Sequence, residues 1–278
     1  MRITGAERII SAVIPEWLVP YYSPAVHEAA AEIIRRNSTN PTDVRQVAIE
    51  GLDLSQAERV LDLGCGFGFF TEVVARRVSA RARLIGMDAI EGNRQAFLSR
   101  VHSTGRGARF VRAEVNSILP FASASFDVVT SSYSLYFFAD ALPEVARVLS
   151  QNGWLLAITH DRDSFRELFR LADLPTNGAP LYDLIERFSS ENGGTILGQC
   201  FEHVERIPYT NTLRFSAEHL EDLLSYFRFK LPLLVTGGPD GALDERLRVS
   251  AQARLQRGEE IRVEKNDTIF RCRGPRCR

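Results

Sequence analysis

The chain has 278 residues, 45% of them hydrophobic, with 34 basic against 35 acidic residues and a formal net charge of −1. That length suits one α/β domain of generous size, or a core with an inserted cap. The near-neutral balance gives a polyanion no reason to bind, so neither nucleic acid nor an anionic membrane is an expected partner.

Lysine occurs only at Lys230 and Lys265, so a lysine nucleophile or Schiff base is not expected. The cysteines (Cys65, Cys200, Cys272, Cys277) are scattered without a Cys-x-x-Cys pair, and no His/Cys ligand spacing appears. No metal site and no disulfide framework is therefore predicted.

In chain order, the stretch MRITGAERIISAVIPEWLVP is broken by Glu7, Arg8, Pro15 and Glu16 and does not read as a signal peptide. No window reaches the roughly 18 apolar residues of a membrane span, and the chain reads as cytoplasmic. Trp17, Tyr21 and Tyr22 precede Ser23-Pro24, a cap residue followed by a proline suited to the first helical position.

From Arg59 to Thr159 short apolar runs alternate with amphipathic segments, the pattern of βαβ units on a parallel sheet. Strands are predicted at Arg59–Leu63, Arg83–Asp88, Ala108–Arg112, Phe126–Ser131 and Trp154–Thr159, each apolar enough to be buried on both faces. Helical spacing of Phe70, Val73, Val74 and Val78 predicts a helix over Phe69–Val78. A second helix carries Leu142, Val145, Ala146 and Leu149 and is expected to stop at Asn152-Gly153. Beyond the fifth strand, Asp163–Leu174, Tyr182–Phe188, Ala217–Arg228 and Leu243–Gln256 read as helical. Phe201–Phe215 reads as extended, and Ile261–Cys272 as one last strand with a turn-like Lys265-Asn-Asp267. The cysteine-flanked end, Cys272 to Cys277, reads as a frayed tail.

Chemistry concentrates at Val60-Leu-Asp62-Leu-Gly64-Cys-Gly66-Phe-Gly68, an apolar strand followed by glycines at alternate positions and then a helix. Glycines let the backbone turn sharply and lie against a ligand, and the helix start offers unpaired amides. Asp62 adds an acceptor at the strand's carboxyl end, well suited to an ammonium group. Asp88 ends the next strand 20 residues after Gly68, the separation of a carboxylate that accepts ribose hydroxyls. The ligand is therefore a nucleoside derivative. A dinucleotide loop would need glycine where Phe69 stands, and a phosphate-cradling loop would need Gly-Lys-Ser/Thr, which is missing.

The alternate glycines behind an acidic strand end resemble the first motif of class I S-adenosylmethionine-dependent methyltransferases. The likeness continues through Glu114-Val115, Leu119-Pro-Phe121, Ser125-Phe-Asp-Val-Val129 and Ala141–Gly153, which is similar to the ubiquinone-biosynthesis-like, type 11 subgroup. It implies a Rossmann-like, doubly wound, mostly parallel α/β sheet of seven strands, the last antiparallel, with helical cap insertions. The implied organisation is an N-terminal helical lid at 1–50, the cofactor-binding core at 51–160, and the rest of the sheet with substrate-cap insertions at 161–278, forming one globular unit.

The resemblance further implies S-adenosylmethionine as cofactor, held by Asp62, Gly64, Cys65, Gly66, Gly68, Asp88, Ala89, Glu114, Val115 and Ser131. The implied reaction is in-line methyl transfer to a small organic acceptor. Transfer of the aminocarboxypropyl group and a non-catalytic, cofactor-binding regulatory role stand as alternatives. Candidate catalytic side chains are His160 after the fifth strand, Tyr136 where the substrate pocket would open, and Tyr22 in the lid. Arg206, Tyr209 and Asn211 are weaker candidates to face substrate. Asp127 reads as structural.

Overall fold

The structure, a computed structural model, describes residues 23–116, 118–236 and 241–276. Chain order begins with α1 (Pro24–Asn37) and α2 (Val44–Ile49), followed by β1 (Arg59–Leu63), α3 (Phe69–Ala75), β2 (Arg83–Asp88), α4 (Asn93–His102) and β3 (Gly107–Arg112). It continues with β4 (Phe126–Ser132), α5 (Leu142–Val148), β5 (Leu149–His160), α6 (Arg166–Leu171), α7 (Pro180–Arg187) and α8 (Gly193–Gly198). The last third holds β6 (Phe201–Tyr209), β7 (Thr212–Phe215), α9 (Leu220–Leu234), α10 (Gly241–Gln256), β8 (Ile261–Glu264) and β9 (Asp267–Pro275).

The main sheet has seven strands in the order β3-β2-β1-β4-β5-β9-β6. The first five run parallel, while β9 is antiparallel to both neighbours. Side chains alternate between the faces as the strand period requires. On β5, Leu156 and Ile158 pack toward α2, α3 and α4, whereas Leu155 and Ala157 pack toward α5 and the later helices. Strand order reverses between β1 and β4, and in open α/β sheets the crevice at the carboxyl end of that reversal takes the ligand.

Between β6 and β9 the chain leaves the sheet to form a cap. There β7 and β8 pair antiparallel, and Leu213, Phe215 and Val263 of this pair are buried, as are Tyr226 and Phe227 of α9 and Leu247 of α10. Helix α1, capped by Ser23, is tied to this cap. Asn37 Nδ2 donates to Asp222 Oδ2 at 3.0 Å, and the Thr39 amide donates to the Thr212 carbonyl at 2.9 Å.

Several predicted boundaries are corrected. Asn152-Gly153 does not stop a helix: α5 ends at Val148 and both residues lie inside β5. A Cβ at Gly153 would come within 2.8 Å of the Leu149 side chain, so this glycine permits close packing within a strand. The helix after the glycine loop ends at Ala75, short of Val78. Phe201–Phe215 is two strands in different sheets, and so is Ile261–Cys272. The expected frayed tail is β9 as far as Pro275, with Cys272 fully buried; Cys277, Trp17 and Tyr21 lie outside the described residues. Among the described residues, no helix is long and apolar enough to cross a membrane.

Candidate active site

The chain turns out of β1 through Gly64, whose φ is +65° and where a Cβ would sit 2.6 Å from that of Ser134. Only glycine meets both demands. Gly66 instead faces open space, with the His27 imidazole 3.8 Å from where its Cβ would be, and its amide donates to Asp88 Oδ2 at 2.8 Å. Asp88 also accepts from the Ile90 amide at 2.8 Å, so the carboxylate at the end of β2 fixes the loop after β1. Burial raises the Asp88 carboxyl above its ordinary value despite these donors. Asp62 is 2% exposed and accepts from the Thr71 hydroxyl. Burial, with Asp88 adding to it and no cation beside it among the described residues, pushes its carboxyl up to about 7.

A continuous cavity of about 890 Å³ runs from this loop to the carboxyl ends of β4 and β5. Of the residues singled out in the sequence for the cofactor, Asp62, Gly64, Cys65, Gly66, Asp88, Ala89, Glu114 and Val115 line it. Two predicted cofactor residues do not. Gly68 begins α3 with φ +84° and packs against the Phe97 ring, so its glycine serves the turn and the core. Ser131 is fully buried, its hydroxyl 2.6 Å from that of Ser134; Ser132, Tyr133 and Ser134 face the cavity in its place. Cys65 borders the cavity with its thiol pushed well above its ordinary value by burial and by Asp88 and Asp62, which suits a small wall residue and not a nucleophile.

At the far end lies a buried polar cluster. His160, the last residue of β5, is 3% exposed, and its Nδ1 is 2.8 Å from Asp267 Oδ1. Asp267 Oδ2 accepts from Lys265 Nζ at 2.6 Å and from the Tyr133 hydroxyl at 2.8 Å, and Lys265 Nζ lies 3.0 Å from that hydroxyl. Tyr133 holds φ +54°, a costly conformation for a bulky residue, and stacks on His160 with ring centroids 4.5 Å apart. Burial works to raise the Asp267 carboxyl, but Lys265 and His160 hold it below the usual range. Burial likewise lowers His160, to about 4, with Asp267 opposing. Burial and Asp267 drive the Tyr133 phenol well up.

His160, Tyr136, Tyr209 and Asn211 all line the cavity, as the sequence suggested, whereas Arg206 turns away to the Ser190 carbonyl. Tyr22 lies outside the described residues. Asp127 accepts from the amides of Glu58 and Arg59, in keeping with a structural role. Sequence reasoning missed Lys230, Lys265 and Asp267. Both lysines of the chain are buried here, 5% and 4% exposed. Their rarity among 34 basic residues was the one available signal.

The Asp88 bracing gives a first expectation. Asp88→Ala should weaken cofactor affinity by the roughly 1.5–3 kcal/mol of charge-assisted bonds to a buried carboxylate. Unchanged calorimetric affinity in the folded variant would remove Asp88 from the site.

Residues 61–157 match the family described as a methyltransferase domain. The chain is 30% identical over 137 residues to the 2-phytyl-1,4-naphtoquinone methyltransferase of Thermosynechococcus vestitus, covering 45% of this chain and 57% of that protein. It is 36% identical over 115 residues to the aklanonic acid methyltransferase DauC of Streptomyces sp. strain C5, covering 39% and 51%. The chain thus matches about half the length of these curated relatives. Among solved structures, a candidate methyltransferase of Bacillus halodurans C-125 shares the fold, with a TM-score of 0.57, 16% identity, and coverage of 84% of this chain and 99% of that one. Residues 61–157 thus resemble a methyltransferase domain, and the sheet that carries them shares its fold with the Bacillus halodurans protein.

Proposed function

We propose that this chain methylates an oxygen of a small organic acceptor lodged between the glycine loop and His160. The observation that carries the reading is the single cavity joining the two ends, large enough for a cofactor and a small second molecule. The residues present fit S-adenosylmethionine. In this reading Asp62, a buried carboxyl with no cation beside it among the described residues, receives the ammonium group, Asp88 takes the ribose hydroxyls, and Gly66 leaves the space a Cβ would fill. When bound, that cofactor supplies a methyl group already activated on a sulfonium.

The protein's own work is positioning, water exclusion and one proton transfer. Asp267 fixes His160 with the proton on Nδ1, which leaves the Nε2 lone pair free to accept the acceptor's hydroxyl proton. Lys265 and Tyr133 hold Asp267 in place from its other oxygen. Tyr136 and Phe137, edge to face at 4.5 Å, form an aromatic wall. Two relatives, a 2-phytyl-1,4-naphtoquinone methyltransferase and an aklanonic acid methyltransferase, support a small organic acceptor.

The test is incubation of purified protein with S-adenosylmethionine and a panel of phenolic and enolic acceptors. S-adenosylhomocysteine formed in step with a methylated product supports the reading. Methylthioadenosine would replace it with aminocarboxypropyl transfer, and tight cofactor binding without turnover would replace it with a regulatory role.

Cofactor binding should also be proton-linked. A ligand ammonium beside Asp62 favours the carboxylate, so its pKa falls from about 7 on binding and a proton is released. Affinity is then full above that value and declines as pH falls through it. Calorimetry at pH 7 in buffers of different ionisation enthalpy should report about half a proton released, and none in Asp62→Asn. Buffer-independent heats in the wild type would sink the assignment.

A further inference from the structure

Lys230 projects from α9 into the acceptor end of the cavity. Its Nζ lies 4.8 Å from the Phe165 ring centroid, 5.1 Å from that of Phe229 and 6.0 Å from that of Tyr226. Among the described residues it has no hydrogen bond and no ion pair. Aromatic faces recover only part of the cost of a buried ammonium, which ordinarily requires a counter-ion.

The charges around it are already matched. Lys265 is paired with Asp267, whose other oxygen is taken by His160. His27, on α1, and His160 are both held neutral at neutral pH, chiefly by burial. Lys230 is the cation left over: burial, with Lys265 adding and Asp267 opposing, pulls its amine down to about 7, and both of those groups lie at the β5–β9 end, so a carboxylate beside it would restore its charge. Asp62 and Asp88 act on each other at the opposite end. The surplus charge thus belongs to the acceptor end of the cavity.

We propose that Lys230 seats a carboxylate of the acceptor, so that the molecule methylated is an aromatic hydroxy acid with its acid group on Lys230 and its hydroxyl toward His160. This rests on the methyl-transfer reading above and names its substrate class. Phe229, Tyr133 and Tyr136 supply aromatic faces for the ring between the two contacts. A hydroxyl on such a ring also suits His160. A base with a pKa of about 4 takes a proton far less readily from an aliphatic alcohol than from a phenol, whose pKa is about 10.

The test uses binding, not turnover. 4-Hydroxybenzoate and its uncharged amide are titrated calorimetrically into protein saturated with S-adenosylhomocysteine. Saturation itself reports on the cofactor site, the separate turnover assay reports on the methyl-transfer reading, and the ratio of the two affinities reports on Lys230. The acid should bind at least about tenfold tighter than the amide, a charge-assisted bond against a neutral one. Lys230→Met should abolish that ratio and Lys230→Arg should keep most of it, while both variants bind S-adenosylhomocysteine as the wild type does. No binding of the acid, a ratio near one, or a ratio that survives Lys230→Met would overturn the proposal. A collapse of S-adenosylhomocysteine affinity in Lys230→Met with the ratio intact would assign the seat to the cofactor's own carboxylate, and would overturn it as well.

Discussion

Replacing His160 with Gln is expected to lower kcat about 10²- to 10⁴-fold, the range for a positioned general base, with cofactor affinity preserved. His160 meets the cavity from the end of β5, packed among Tyr133, Phe165 and Asp267, so binding at Asp62 and Asp88 should not register its loss. The pH profile separates catalysis from packing. Burial is the main cause of its lowered pKa, with Lys230 and Lys265 adding to it and the Asp267 hydrogen bond working against it. The working form is the neutral imidazole, so wild-type kcat/KM should hold down to about pH 5 and fall as pH drops through about 4. The residual activity of His160→Gln should lack that acidic limb. A variant with wild-type kcat, or one that keeps the limb, would leave His160 a packing residue beneath Tyr133.

The glycine-loop end of the cavity was legible in the sequence because it is local. Asp62, Gly64 and Gly66 sit within a few residues of one another, and Asp88 ends the neighbouring strand. Apolar runs gave β1 to β4 nearly to the residue, since strands buried on both faces leave little room for polar positions. Ser131 was misplaced by a short step: the cavity begins where the chain leaves β4, at Ser132 and Ser134. Gly68 was misread because glycine is demanded there by its positive φ and by Phe97, and a motif does not say which side of the loop faces the ligand.

At the acceptor end the sequence pointed to His160 and Tyr136 but not to the partners around them, because these are assembled at long range. His160 and Asp267 are 107 positions apart, Tyr133 and Asp267 134 positions apart, and Lys230 arrives on a separate helix. The break between β8 and β9 is equally tertiary. Ile261–Glu264 pairs with β7 in the cap, while Asp267–Pro275 inserts between β5 and β6, so one apolar run serves two sheets. The turn-like Lys265-Asn-Asp267 is where the chain passes from cap to core, and its polar residues become the centre of the cluster.

Asp267→Ala should cost about 3–5 kcal/mol of stability, the range for removing one member of a buried ion pair. Its side chain is fully buried and takes three donors: Lys265 Nζ, the Tyr133 hydroxyl and His160 Nδ1. Alanine leaves Lys265 charged with only the Tyr133 hydroxyl beside it, and strands the His160 N–H. The loss should persist across the neutral range. A carboxyl held below its ordinary value contributes its full stability above the unfolded pKa of about 3.8 and forfeits it as pH falls through the folded value. The stability gap between wild type and variant should therefore narrow only in strong acid. Uncompensated charge, and not a cavity, is the expected cause, and a second substitution tests that. Adding Lys265→Met to Asp267→Leu should recover most of the lost stability in urea melts, since apolar residues of similar volume can replace a buried pair at little cost. Activity should stay low in the double variant, because His160 has lost the acceptor that orients it. If the double variant is as unstable as the sum of its single changes, Lys265 and Asp267 do not act as a pair.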